Sequence, residues 1–222
     1  MRRWRTFAAV AAAGAMSTAT ASAANVVVNG TFDDTSGWTG SFTPQAGSGG
    51  TGGFPNIDTG TYYYGGSVSS NAISQTYQLT AADLAALATT GLDWTLSADL
   101  FGFSIQDDFS QVTVEFRDAL GDGLGTVFLN SQTDRPDEWP DFLTAGDAPS
   151  FQEIMGVLPA MTTQILFVVS SGRVSGTSND GYLDNLVFDI TPSAVSSEVP
   201  IPAAALLFAP LAGLAMKRRR SA

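Results

Sequence analysis

The chain has 222 residues, a formal net charge of −11 at neutral pH, and neither cysteine nor histidine. These absences exclude disulfides, thiol nucleophiles, thiolate zinc sites, histidine-dependent triads and imidazole bases. Residues 24–198 hold three arginines against all 21 acidic residues, a net charge of −18, which argues against binding to nucleic acids. This segment has the length of one domain.

The first part of the chain, residues 1–23, is predicted to be a secretory signal peptide. Three arginines within the first five residues form a positive start, and residues 7–16 form a short apolar run. Ala21 and Ala23 satisfy the small-x-small rule for cleavage after Ala23. We therefore expect the chain to be exported, because the apolar run is too short to span a bilayer by itself.

Residues 24–190 are predicted to form a β-rich domain. β-branched or alternating apolar segments recur between glycine-containing turns, at residues 25–28, 92–103, 112–117, 126–129, 165–169 and 182–188. Trp38 and Trp94 are expected in the core. About nine short strands of this kind are typical of an all-β fold, a two-sheet β-sandwich.

Two local signals complete this prediction. Thr80 and Asp83 have the spacing of a capping box, which predicts one short helix over residues 80–88. Gly121-Asp122-Gly123 predicts a hairpin turn between two strands. The domain therefore combines about nine strands with a single helix.

The end of the chain differs in composition from the domain. Residues 191–198 are predicted to be a linker, and residues 201–216 carry no charge. Four consecutive cations, Lys217 to Arg220, follow at once and are expected to stay on the cytoplasmic side of a membrane. Residues 199–222 are therefore predicted to be a membrane-associated segment.

The same segment begins with the motif Val199-Pro200-Ile201-Pro202-Ala203. A proline-containing motif, an apolar stretch and a basic terminus in this order resemble the PEP-CTERM class of sorting signals, in its VPLPA-CTERM form. The resemblance implies recognition by an exosortase, an integral membrane enzyme, in a Gram-negative bacterium. It also implies localisation to the cell envelope or the extracellular space, with membrane anchoring that is at least transient.

A second resemblance covers most of residues 25–190. Asn29-Gly30-Thr31-Phe32-Asp33, followed by Gly37-Trp38, and the later Asp180-Gly181-Tyr182-Leu183-Asp184-Asn185 resemble the opening and closing motifs of galactose-binding-like jelly rolls, many of which bind carbohydrate. Residues 74–103 and 114–119 are similar to a bacterial subset related to F-box-associated domains. The resemblance implies a jelly-roll β-sandwich. It further implies a structural Ca²⁺ bound by Asp33, Asp34 and Asp184.

Two loops contain the residue types that a sugar site requires, because the C–H faces of sugars stack on aromatic rings and their hydroxyls need polar partners. The first loop, residues 54–64, contains Tyr62 and Tyr64. The second, residues 134–142, contains Arg135, Asp137 and Trp139. Trp139, flanked by Glu138 and Pro140, is predicted to be the most exposed aromatic residue. These five side chains are the candidate ligand-binding residues, with extracellular polysaccharide as the partner.

Two alternative functions remain open from the sequence. A purely structural envelope or matrix protein would show only a sorting defect when residues 199–222 are removed. A glycoside hydrolase would use two carboxylates, for which Asp137, Glu138 and Asp141 are candidates. The sequence favours a non-catalytic binding module over both.

Overall fold

The computed structural model describes residues 24–47, 54–55, 57, 60–133, 135–139 and 149–194. The predicted signal peptide and sorting segment lie outside these residues. Ten strands and one helix are found in the described part of the chain. None of the helical residues described there forms a stretch long and apolar enough to cross a membrane.

The strands form two antiparallel sheets. The first sheet contains β1 (Ala24–Asn25), β2 (Thr43–Ala46), β3 (Thr61–Tyr64), β5 (Leu92–Phe101), β8 (Ser150–Val157) and β10 (Tyr182–Pro192). Its order is β2-β3-β10-β5-β8, with β1 paired to β10. The second sheet contains β4 (Ser70–Gln78), β6 (Phe109–Arg117), β7 (Gly123–Asn130) and β9 (Gln164–Gly172), in the order β4-β9-β6-β7. The fold is thus an all-β jelly-roll sandwich, as expected.

The main core lies between the two sheets. Alternate residues point inward, so that Ile165, Phe167 and Val169 on the inner strand β9 have no exposed surface. Trp94 on β5 stacks on Phe188 of the neighbouring strand β10 at 5.7 Å, and its burial confirms its predicted place in the core. Each such side chain, fully buried, stabilises the fold by roughly 1.5–3 kcal/mol.

The helix and the hairpin form where the sequence predicts them. Helix α1 spans Ala81–Thr89, and Thr80 and Asp83 form the reciprocal capping box at its start. The carboxylate of Asp118 accepts hydrogen bonds from the backbone of Leu120 and Asp122, which closes the turn between β6 and β7. Strand β10 continues to Pro192, two residues into the predicted linker, because its end pairs with the start of β5.

A second, smaller core lies on the outer face of the first sheet. Tyr63 faces the main core, so its neighbours on β3 face the opposite side of the sheet. There they pack with residues from β5, β10 and two loops, forming a group that we call the outer aromatic cluster: Tyr62, Tyr64, Phe101, Trp139 and Tyr182. Phe54, Ile57 and Phe103 pack against it from the loops. This part of the sheet is therefore shielded from solvent.

Candidate functional site

The two tyrosines predicted to bind ligand are buried in the outer aromatic cluster. Tyr62 has no exposed surface and Tyr64 has 6%. The ring of Tyr62 contacts those of Phe101 and Tyr182 at centroid distances of 5.0 and 5.2 Å, and its hydroxyl donates to the carbonyl of Pro55. Burial raises the pKa of Tyr62 and of Tyr182 far above the usual range. Neither predicted tyrosine offers a ring face to a ligand.

Trp139 is also buried, so its prediction as the most exposed aromatic residue is wrong. Only 2% of its surface is accessible. Its indole lies over Gly102, where an added Cβ would come within 2.8 Å of the ring. Its backbone amide donates to the carbonyl of Ser104. The missing side chain at Gly102 makes the space that the indole fills, and the charged and proline neighbours of Trp139 do not prevent this.

The guanidinium of Arg135 is used within the protein. It donates to the carboxylate of Asp107 and to the carbonyls of Ile105 and Gln106, at 2.9 and 2.8 Å for the two carbonyls. Arg135 therefore holds the loop that precedes β6. Of the five predicted ligand-binding residues, Asp137 is the one with an exposed side chain. The five do not form a solvent-facing site.

The structure places an open cleft elsewhere, where β7 and β8 meet as the edge strands of the two sheets. Phe128 and Phe151 flank it and are 58% and 63% exposed. The cleft has a volume of about 260 Å³. Its other lining residues are Leu129, Thr133, Gln152, Glu153 and Ile154. Sequence reasoning missed this site because it depends on which strands lie at the sheet edges.

The cleft combines exposed rings with oriented polar groups. The side-chain amide of Gln152 donates to the carbonyls of Asn130 and Thr133, both at 2.9 Å, which fixes its orientation. Glu153 supplies a carboxylate on the exposed side of β8. Aromatic faces beside hydrogen-bonding groups can stack on the C–H faces of a sugar and bind its hydroxyls. The cleft thus has the chemistry that was expected of the two loops.

A group of acidic residues lies where the turn after β1 meets the last strand, β10. Asp184 is only 4% exposed, and burial, together with the charges of Asp99 and Asp33, raises its pKa to about 7. Asp33 accepts hydrogen bonds from the hydroxyls of Thr31 and Thr61, at 2.8 and 3.1 Å. The structure therefore brings Asp33 near Asp184 as expected and adds Asp99, which the sequence did not indicate.

Asp34, the third predicted metal ligand, makes its contacts within its own turn. Its carboxylate accepts hydrogen bonds from the backbone of Ser36 at 2.7 Å and from the side chain of Asn29, and the bonds from Ser36 lower its pKa. It stabilises the turn after Asn29. Within the described ranges, no group of three acidic side chains lies close enough together to hold a metal ion.

Among the described residues, this group of acids has no positively charged neighbour. The three arginines of residues 24–198 are engaged elsewhere: Arg117 pairs with Glu115, Arg135 with Asp107, and Arg173 donates to the carbonyl of Thr177. Carboxylates and carbonyl oxygens are the protein ligands that Ca²⁺ prefers. The chemistry of Asp33 and Asp184 is therefore compatible with a calcium site completed by other oxygen atoms.

Comparison with known proteins extends only to the fold. No known protein family matches the sequence, and no curated protein is detectably similar. Among the similar solved structures are the enzymatically active domain of tailspike protein 4 of Bacteriophage CBA120 (13% identity, TM-score 0.47), a family 16 carbohydrate-binding module (16%, 0.46) and the CBM22-1 xylan-binding domain from Paenibacillus barcinonensis Xyn10C (16%, 0.37). The matches cover 74%, 74% and 78% of this chain, and 21%, 99% and 99% of the respective neighbours. The chain thus spans about a fifth of the tailspike chain and nearly all of the two modules.

Proposed function

We propose that the domain is a non-catalytic carbohydrate-binding module whose ligand occupies the cleft between β7 and β8. The observation that carries this proposal is the pair of exposed rings, Phe128 and Phe151, on either side of a cleft with oriented polar groups. Large apolar side chains that stay exposed together on a soluble domain mark a binding surface more often than chance exposure. A sugar uses both the rings and the polar groups.

The charge of the domain indicates which polysaccharides would fit. With a net charge of −18 over residues 24–198, and with Glu153 in the cleft itself, the surface repels anionic chains. The proposed ligand is therefore a neutral extracellular polysaccharide. Its hydroxyls would donate to the Glu153 carboxylate.

The arrangement of carboxylates supports binding without catalysis. A glycoside hydrolase places two carboxylates on either side of the scissile bond, whereas Glu153 is the single acid among the described lining residues of the cleft. Asp137 and Glu138 are exposed in another loop, and Asp141 lies outside the described residues. Asp184 has the pKa of a general acid, but at 4% exposure it cannot contact a glycosidic oxygen.

The proposal predicts that Phe128→Ala and Phe151→Ala each weaken glycan binding about tenfold, because each removes one stacking face. Both side chains are more than half exposed, so the melting temperature should change little. The measurement is an array of neutral glycans probed with the full chain in mild detergent, followed by titration of the best ligand.

Two further variants serve as controls for this experiment. Phe128→Tyr keeps an aromatic face and should retain binding, and Leu120→Ala changes a residue that is 87% exposed far from the cleft. Binding that survives both alanine substitutions at the cleft would refute this site. A folded chain that binds no glycan at all would instead favour a purely structural envelope protein.

We also propose that Asp33 and Asp184 bind a structural Ca²⁺. A raised carboxyl pKa means that, between about pH 4 and pH 7, the folded chain keeps a proton that the unfolded chain has lost. Stability should therefore fall as pH rises through this window, and Ca²⁺ should restore it at higher pH by replacing the proton. Other acids contribute in both directions, because burial raises the pKa of Asp180 and the bonds from Ser36 lower that of Asp34. The informative quantity is therefore the difference between the parent and Asp184→Asn.

The expected result is that, in EDTA, the melting temperature of the parent falls by several degrees more than that of Asp184→Asn between pH 5 and pH 8. Millimolar Ca²⁺ at pH 8 should raise the melting temperature of the parent and leave that of Asp184→Asn unchanged. Calorimetry in both buffers measures this. Equal pH profiles for the two proteins would show that Asp184 does not titrate as described.

For the whole chain we propose export and sorting to the envelope of a Gram-negative bacterium by an exosortase-type enzyme. The support comes from the sequence alone, in the order of signal, domain, proline-containing motif, apolar stretch and cations. Removal of residues 199–222 followed by cell fractionation tests it. A truncated protein that fractionates like the parent would contradict the proposal.

A further inference from the structure

Besides the two-residue strand β1, four strands lie at sheet edges in the described residues, and they differ in how well they are protected against pairing with another chain. Strand β2 is only four residues long and contains Pro44, which cannot donate to a neighbouring strand. Strand β7 has one extra residue, Leu124, between the partners of Phe116 and Arg117 on β6, and such a bulge twists that edge. Both features are common ways of blocking strand addition.

Strand β4 is protected by coverage. The backbone of Thr39 exchanges two hydrogen bonds with that of Ser74, at 2.8 and 2.9 Å. The side chain of Gln75 both donates to and accepts from the backbone of Val28. The segment between Val28 and Thr39 therefore occupies the outer edge of this strand.

Strand β8 has none of these protections within the described residues. It pairs with β5 over eight residues without a register shift and contains neither proline nor a positive charge. Its outward face carries Phe151, Met155 and Val157, which are 63%, 71% and 66% exposed. A long, regular edge with exposed apolar residues is the type that pairs with other strands. Its contrast with the three protected edges indicates that this one has a partner.

We propose that this partner is β8 of a second copy of the chain. The two strands pair antiparallel, so that the first sheet of one copy continues into the first sheet of the other. The sequence of β8 is self-complementary when Ile154 lies opposite its own copy. Phe151 then faces Val157, and Glu153 faces Met155, each twice by symmetry. The exposed residues of one strand therefore lie opposite the exposed residues of the other.

Neighbouring registers are less favourable. A shift by two residues in one direction places Glu153 opposite its own copy, and like charges directly opposite each other are destabilising. A shift in the other direction leaves Phe151 beyond the end of the partner strand. The register centred on Ile154 is the one that pairs the full apolar stripe without an acid facing an acid.

The charge of the two copies makes the association dependent on salt. Each copy carries −18 over residues 24–198, so the two repel each other at low ionic strength. Salt screens this repulsion and leaves the strand pairing and the apolar contacts in place. The dimer fraction should therefore rise between about 0.05 and 0.5 M NaCl.

The absence of cysteine gives a direct test of the register. In the full chain in mild detergent, Ile154→Cys should form an intermolecular disulfide under mild oxidation, because the two residues face each other. Glu153→Cys and Leu120→Cys should each form at least fivefold less of the intermolecular disulfide. Equal cross-linking of the three variants would indicate random collision and overturn the proposal.

A second measurement does not depend on cysteine or on the folding of the Ile154 variant. Sedimentation velocity of the unmodified chain should show a dimer that Met155→Lys reduces at least tenfold and that Leu120→Lys leaves unchanged. A chain that stays monomeric at every salt concentration, or a dimer insensitive to Met155→Lys, would overturn the proposal. Phe151 and Glu153 line the cleft and also face the partner strand, so the dimer and the glycan use overlapping surfaces. Met155 does not line the cleft, so Met155→Lys should lose the dimer and bind glycan at least as well as the parent, which distinguishes failure of one proposal from failure of the other.

Discussion

Replacement of Gly181 by alanine is expected to lower the melting temperature by about 10 °C or more, or to prevent folding altogether. An added Cβ would lie 1.9 Å from the carbonyl oxygen of Phe109 and 2.8 Å from the amide of Ser110. Both contacts are with the backbone of β6, which is held between β7 and β9 and cannot move as a flexible side chain would. The hydroxyl of Ser110 also donates to the carbonyl of Tyr182 at 2.6 Å, so relieving the clash would break this bond.

A matched glycine provides the control. Gly125 on β7 would place its added Cβ in ordinary contact, 3.7 Å from the ring of Phe116. Gly125→Ala should therefore change the melting temperature by no more than a few degrees. Thermal unfolding followed by circular dichroism compares the two variants. If both behave alike, the close approach at Gly181 does not determine stability.

This close contact explains why the sequence motifs identified the fold. Gly30, in the opening motif, would place an added Cβ 2.0 Å from the carbonyl of Leu186, and its own carbonyl accepts from the amide of Leu186. Gly181, in the closing motif, packs in the same way on β6. The motifs are therefore contact points between distant segments, and they indicate the topology as well as local turns. The regular strands could be predicted from alternation, because in β5 and β6 apolar residues face the core and mostly polar residues face the other side of the sheet.

The candidate sites were harder to predict because they depend on contacts between distant segments. Trp139 has charged and proline neighbours, which indicate exposure, but its burial is caused by the empty space at Gly102, directly after β5. Asp99 could not be linked to Asp184 until the register of β5 against β10 was known. Strand β8 has apolar residues on both faces, so alternation alone does not say that Phe151 points outward. In each case the position of the residue is determined by contacts between segments that are far apart in the sequence.

The burial of Trp139 changes what its removal should do. The sequence predicts that Trp139→Ala abolishes glycan binding and leaves folding intact, whereas the structure predicts the reverse. Truncation removes the largest ring of the outer aromatic cluster and opens a cavity over Gly102, at a cost of about 3 kcal/mol. The melting temperature should fall by about 6–12 °C, and the chain that remains folded should bind glycan with unchanged affinity.

Trp139→Phe separates packing from any role of the indole itself. The indole N–H is buried and has no hydrogen-bond acceptor among the described residues, so phenylalanine keeps most of the packing and removes a donor without a partner there. Its melting temperature should lie close to that of the parent and well above that of Trp139→Ala. Calorimetry gives the melting temperatures of the parent, Trp139→Ala and Trp139→Phe, and glycan titration gives their affinities. A melting temperature unaffected by alanine, together with lost binding, would mean that the 135–139 loop opens and that Trp139 is a ligand-binding residue after all.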